Sequence, residues 1–159
     1  MVGSWTGIAY ADATRDIIEQ ALDAAAINEG EYREFLAKGE EHFEAGDYAQ
    51  ALVMFKRAIA FKTGPARIYQ MMGDCSAHLG RYKEALVFAQ RAVDIEPHNG
   101  LMHMDLAMSY AAVDRYEEAR IEAATARTLL TDPQDIADLD YLQEGLTAKQ
   151  SQKELGNGN

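Results

Sequence analysis

GDYAQALVMFKRAI occupies Gly46–Ile59, GRYKEALVFAQRAV occupies Gly80–Val93 and DRYEEARIEAATAR occupies Asp114–Arg127, each copy thirty-four residues after the last. Tyr48, Tyr82 and Tyr116 share one register, as do Ala51, Ala85 and Ala119, and Ala58, Ala92 and Ala126. Upstream, Gly39, Gly73 and Ala107 keep the same step. A residue pinned between two helices must recur in every copy, whereas a solvated one can drift. The retained small residues are therefore read as points where helix backbones approach closely, and the tyrosines as wedges beside each turn.

Each unit opens with a helix-length segment of 3.6-residue periodicity, such as Ile68, Met71, Met72, Cys75 and Leu79. A short break follows (EAGDY, HLGRY, AVDRY), then a second amphipathic segment. Gly46 and Gly80 sit in two of those breaks, where a positive φ costs glycine nothing. Pro65, Pro97 and Pro133 all fall just beyond a second helix. Two helices and a turn per thirty-four residues predict an all-α helical-repeat solenoid.

These positions resemble the tetratricopeptide repeat, whose pattern is an aromatic, Leu-Gly, Tyr, a Gly-x-Tyr turn, Ala, an aromatic, Ala and a closing Pro. The first unit offers Phe35, Gly39, Gly46, Tyr48, Ala51, Phe55 and Ala58. The second offers Tyr69, Met72, Gly73, Gly80, Tyr82, Ala85, Ala92 and Pro97. The third offers Leu106, Ala107, Tyr110, Tyr116, Ala119 and Ala126, but has His103 for the first aromatic, Asp114 for the turn glycine and Ala123 for the second aromatic. The resemblance implies a right-handed superhelix of three helix-turn-helix repeats, at 32–65, 66–99 and 100–131. An N-terminal segment, 1–31, precedes them, with Ile17, Ile18, Ala21, Leu22 and Ala25 as the apolar stripe of a helix. Thr131, Asp132 and Pro133 read as a helix start, and Ile136, Leu139, Leu142 and Leu146 as the face of a capping helix over 132–150. The tail, 151–159, is expected to be disordered.

At 159 residues the chain is one domain's worth, long enough to bury a core. Its net charge of −11 argues against sequence-independent binding to nucleic acid or an anionic membrane, because phosphate contacts need Lys and Arg. The N-terminus lacks the basic start of a signal peptide, and no apolar run approaches a membrane span, so a cytoplasmic location is expected. One cysteine, Cys75, excludes an internal disulfide and reads as a buried small hydrophobe. The sequence shows no phosphate-binding glycine loop, HExxH, CxxC or nucleophile elbow, and no catalytic residue, cofactor or metal is expected.

LMHMDLAMSYAAV, Leu101–Val113, is apolar nearly all round. Leu106, Ala107 and Tyr110 face the repeat, and Leu101, Met104, Met108 and Ala111 form a second apolar stripe. Such a helix is buried on both sides. The second cover is either another polypeptide or the chain's own C-terminal helix folded back over Met104 and Met108.

In the resembled family the first helix of each repeat lines a concave groove. Carried over, the groove residues are Arg33, Leu36, Glu40, Phe43 and Glu44 in the first unit, Arg67, Gln70, Asp74, Ala77 and His78 in the second, and Leu101, Met104, Met108, Ala111 and Ala112 in the third. Repeats that hold acidic chaperone tails carry Lys, Arg and Asn there, whereas Leu36, Glu40 and Asp74 stand here. The expectation is a protein or peptide partner with apolar anchors and basic residues, bound without catalysis. Size, layout and Tyr141, Leu142 and Leu146 in a YL-x-x-x-L arrangement also resemble the class II chaperones of bacterial type III secretion. That likeness implies a secretion chaperone or adaptor, dimeric through the N-terminal helix. The competing expectation is a scaffold that self-assembles through the N-terminal helix and the apolar third repeat.

Overall fold

A computed structural model describes residues 28–61 and 64–156 of the chain. Helix α1 covers 28–44, α2 Tyr48–Phe61, α3 Ala66–His78, α4 Tyr82–Ile95, α5 Gly100–Ala111, α6 Tyr116–Leu129 and α7 Pro133–Gly156. No strand occurs among the described residues. The stripe expected at Ile17–Ala25 lies outside them. Helices pack in chain order, α3 on α4 and α5 on α6 within repeats, then α2 on α3, α4 on α5 and α6 on α7 between them. This is the all-α repeat superhelix that the thirty-four-residue period predicts.

The turns follow from their residues. Gly46 and Gly80 take φ of 76° and 72°, the left-handed region an L side chain resists. Asp114 takes the same conformation at φ 61° in the third turn. Its carboxylate accepts the Tyr116 hydroxyl at 2.5 Å, a local bond that helps an Asp hold left-handed backbone. Three helix starts are capped by side-chain oxygens, Asp47 accepting from the amide of Gln50, Asn99 from Leu101 and Asp132 from Gln134, whereas α3, α4 and α6 start without one.

The core has two parts. Phe55, Met72, Cys75 and Leu106 centre the larger and are fully buried. Burial pushes the Cys75 thiol up to about 11, as suits the inert residue expected from sequence. The smaller part joins Ala107, Ala119, Ala123 and Ala126 to Leu139 and Leu146 of α7. His103, in place of an aromatic, is buried as well. Its Nδ1 lies 2.7 Å from the Glu122 carboxylate and its Nε2 3.0 Å from the Pro97 carbonyl, tying α5 to α6 and to the preceding turn.

The register of small residues is not uniform in tightness. A Cβ built on Gly39 would stand 2.5 Å from the Phe55 ring, so a larger residue there forces the helices apart. At Gly73 the nearest atom would be the Ala85 carbonyl oxygen at 3.6 Å, an ordinary contact. Gly73→Ala is therefore expected to be neutral or to raise stability by about 0.5–1 kcal/mol through helix propensity, read from urea unfolding. A loss above about 1 kcal/mol would mean that α3 and α4 pack closer than the structure has them.

Two boundaries differ from the sequence reading. Helix α1 already runs at residue 28, ahead of the first repeat at 32. Helix α7 continues through 151–156, which the sequence reading made part of a disordered tail. Ser-Gln-Lys-Glu-Leu contains no helix breaker before Gly156, so propensity carries the helix past its last core contact, Leu146.

Candidate functional site

Helix α5 decides what is open. Leu106, Ala107, Met102 and His103 are buried in the repeat, as its first stripe requires. The second stripe is divided. Met104 and Ala111 are half-buried and pack against the cluster closed by Leu139 and Leu146 of α7. Met108 stays 45% exposed and Leu101 38%. Neither expectation for this stripe holds whole: the C-terminal helix covers one edge and leaves the other free.

The free edge faces α3 across a cleft of about 250 Å³. Ala85, Ala89 and Ala92 of α4 lie at its base, and their short side chains let it run deep. Ala77, Met108 and Ala112 give it apolar walls, and the exposed Tyr82 ring lines it too. Within it Gln70 and Asp74 of α3 meet Asp105 and Ser109 of α5. Gln70 Nε2 donates to Asp105 Oδ2 at 2.6 Å. Among the described residues, Asp74 makes no hydrogen bond or ion pair and no Lys or Arg lines the cleft.

Two carboxyl groups in one poorly solvated site cannot both ionise freely. Burial, then the charge of Asp74, pushes Asp105 up to about 7, against the pull of the Gln70 hydrogen bond. Asp74 is raised too, by burial, with the nearby His78 opposing.

Of the fifteen residues expected in the groove, five meet here: Gln70, Asp74, Ala77, Met108 and Ala112. Leu36 and Phe43 are half-buried against the main core, Phe43 edge-on to Tyr48 at 5.8 Å between ring centres, so much of their apolar surface is already used. Glu40 is half-buried and Glu44 exposed one repeat away from the cleft. His78 stacks flat on Tyr48 at 4.1 Å, bridging the first repeat to the second. Leu101 opens instead on a hollow beside Pro97, His98, Leu130 and Asp135. On the facing helices α3 and α5, Asp105 and Ser109 are the polar additions. Thirty-four residues before Asp105 stands the buried Met71, and that register match marked the position as inward-facing.

No described helix is long and apolar enough to cross a membrane, and no group of three or more metal-ligating side chains occurs among the described residues.

The chain belongs to the tetratricopeptide repeat family, whose pattern matches residues 42–92 and 78–146. Among solved structures it is similar to the TPR2B domain of yeast Sti1 in complex with pHsp70, with a TM-score of 0.68 and 21% identity over 75% of this chain and 98% of that one. It is similar to PcrH from Pseudomonas aeruginosa in complex with the chaperone binding region of PopD, at 0.66 and 20% over 74% and 92%. The type III secretion translocator chaperone SycD of Yersinia enterocolitica gives 0.68 and 14% over 75% and 85%. At such identities the likeness is one of fold. No curated protein matches the chain in sequence. The family is a protein-interaction scaffold, so the chain is a protein–protein interaction module.

Proposed function

We propose that this module takes an extended segment of another protein in its concave face, without catalysis, as a chaperone or adaptor of the kind that PcrH and SycD exemplify. One observation carries the reading: Met108 remains 45% exposed above a cleft between α3 and α5 although α7 had the chance to cover it. A thioether adapts its shape to several partners, which suits an adaptor. The Sti1 domain forms a complex with pHsp70. An acidic tail is the wrong ligand here, since it would meet Asp74 and Asp105 where no Lys or Arg of the described residues stands.

The direct test is selection from a displayed random-peptide library, followed by binding to a variant with Ala77→Glu and Met108→Glu. Both positions are exposed, so helicity and melting should stay within a few degrees of wild type while affinity falls at least tenfold. Met104→Glu is a poorer probe because it also strips contacts from α7. Binding that survives both substitutions would end the groove reading.

The self-assembling scaffold has one observation in its favour. Val53, Val87 and Ile121 recur at the thirty-four-residue step and are 43%, 65% and 65% exposed on α2, α4 and α6. Light scattering across a concentration series separates the two: growing oligomers favour the scaffold, and a constant small mass favours the adaptor.

A further inference from the structure

We infer that the α3–α5 cleft is the specificity pocket of the groove and receives one basic side chain of the partner, a lysine ammonium or an arginine guanidinium, between Asp74 and Asp105. The inference rests on the groove reading above and names the chemistry the partner brings.

Charge complementarity selects this occupant. Two carboxyl groups from facing helices share the cleft, and among the described residues its lining holds a neutral amide, Gln70, and no Lys or Arg, while His78 lies near Asp74 outside the lining. A buried carboxylate is ordinarily matched by a fixed Lys or Arg of its own chain. Elsewhere this chain pairs even exposed carboxylates with a cation, Lys56 with Glu84 at 2.6 Å and Arg115 with Glu118 at 2.8 Å. At Asp74 and Asp105 no Lys or Arg of the described residues does so, which leaves the complementary charge for a partner to bring.

The walls fit the rest of such a side chain. Ala77, Met108 and Ala112 present apolar surface to a methylene stem, and the Tyr82 ring offers a face that attracts a cation. Ala85, Ala89 and Ala92 leave the depth that a long side chain needs. A Ca²⁺ ion fits less well, because it asks for six to eight oxygen ligands and this cleft brings two carboxyl groups. Moreover, Asp105 stands at a register position that Met71 fills with a buried apolar side chain one repeat earlier.

The test uses the whole chain and the displayed random-peptide library, sorting binders by whether they are lost to the Ala77→Glu, Met108→Glu variant. Groove-dependent binders should share one enriched Lys or Arg. Replacing that residue by Met in a synthetic peptide should weaken binding at least tenfold, and Asp74→Asn or Asp105→Asn should remove most of that difference, measured by titration calorimetry. Both Asn variants retain an acceptor oxygen and relieve charge crowding, so they should fold. Groove-dependent binders with no common basic residue would overturn this inference and leave the groove reading standing. A basic residue whose contribution is unchanged in both Asn variants would overturn it equally. An absence of groove-dependent binders would overturn both.

Discussion

Phe55→Ala is expected to remove about 3–5 kcal/mol of stability, enough to lower the melting temperature by roughly 10 °C. The ring is wholly buried between α2 and the helices it joins, and its loss leaves a cavity as well as a smaller apolar surface. What makes the prediction specific is its coupling to Gly39, whose missing side chain is the space the ring occupies. In the wild-type background Gly39→Ala drives a methyl to 2.5 Å from the ring and should cost about 1–3 kcal/mol. With Phe55 truncated, the same change should turn favourable by about 1 kcal/mol, because only helix propensity remains. The double-mutant cycle therefore predicts a coupling of about 2–4 kcal/mol from denaturant unfolding. An equal cost for Gly39→Ala in both backgrounds would mean that the glycine is there for some reason other than the ring.

The same pair shows why the fold was legible. Positions where backbones or rings meet at contact distance tolerate few side chains, so they recur at thirty-four residues and can be read off one sequence. Asp114 fits this logic: the third turn needs left-handed backbone and uses an Asp with its own hydrogen-bond partner. The capping helix was legible for a second reason, the Asp132–Pro133 start and leucines that share a face. Its placement was not. A helix that docks on an apolar stripe can lie along either edge, and periodicity is blind to a lateral shift. That is why Met104 and Met108, four residues apart, end on opposite sides of the outcome. Tyr141, one third of the YL-x-x-x-L arrangement, is 81% exposed, because Leu139, Leu142 and Leu146 already use the inward face of α7.

The cleft was the least legible part. An isolated Asp in a helix reads as solvated surface, and most are. Only comparison with the preceding repeat, where Met71 fills the corresponding site, marks Asp105 as inward. The facing carboxyl of Asp74 belongs to another helix, and which residues of α3 and α5 oppose one another depends on how the repeats are rotated. That angle comes from packing and has no signature in a thirty-four-residue period.

Asp105→Asn is expected to stabilise the chain by about 2–4 kcal/mol at pH 8, or roughly 5–10 °C, and to have almost no effect at pH 4. In the unfolded chain the carboxyl ionises near its ordinary 3.8, whereas in the fold burial and Asp74 hold it at about 7. Between those values the folded protein keeps a proton that the unfolded chain gives up. Stability contributed by that proton is complete below about pH 4, declines as pH rises, and is gone above about 7. An amide has nothing to ionise, accepts the Gln70 hydrogen bond and faces Asp74 without repulsion, so it escapes the decline. Thermal unfolding of both proteins from pH 4 to 8 measures the gap, which should widen along that interval. A gain that is equal at both ends would show that the wild-type carboxyl carries no such penalty. If the variant is indeed more stable yet loses its basic-peptide binding, the acid has been kept at a cost to folding for the sake of recognition, since a side chain that served only the fold would not move the two quantities in opposite directions.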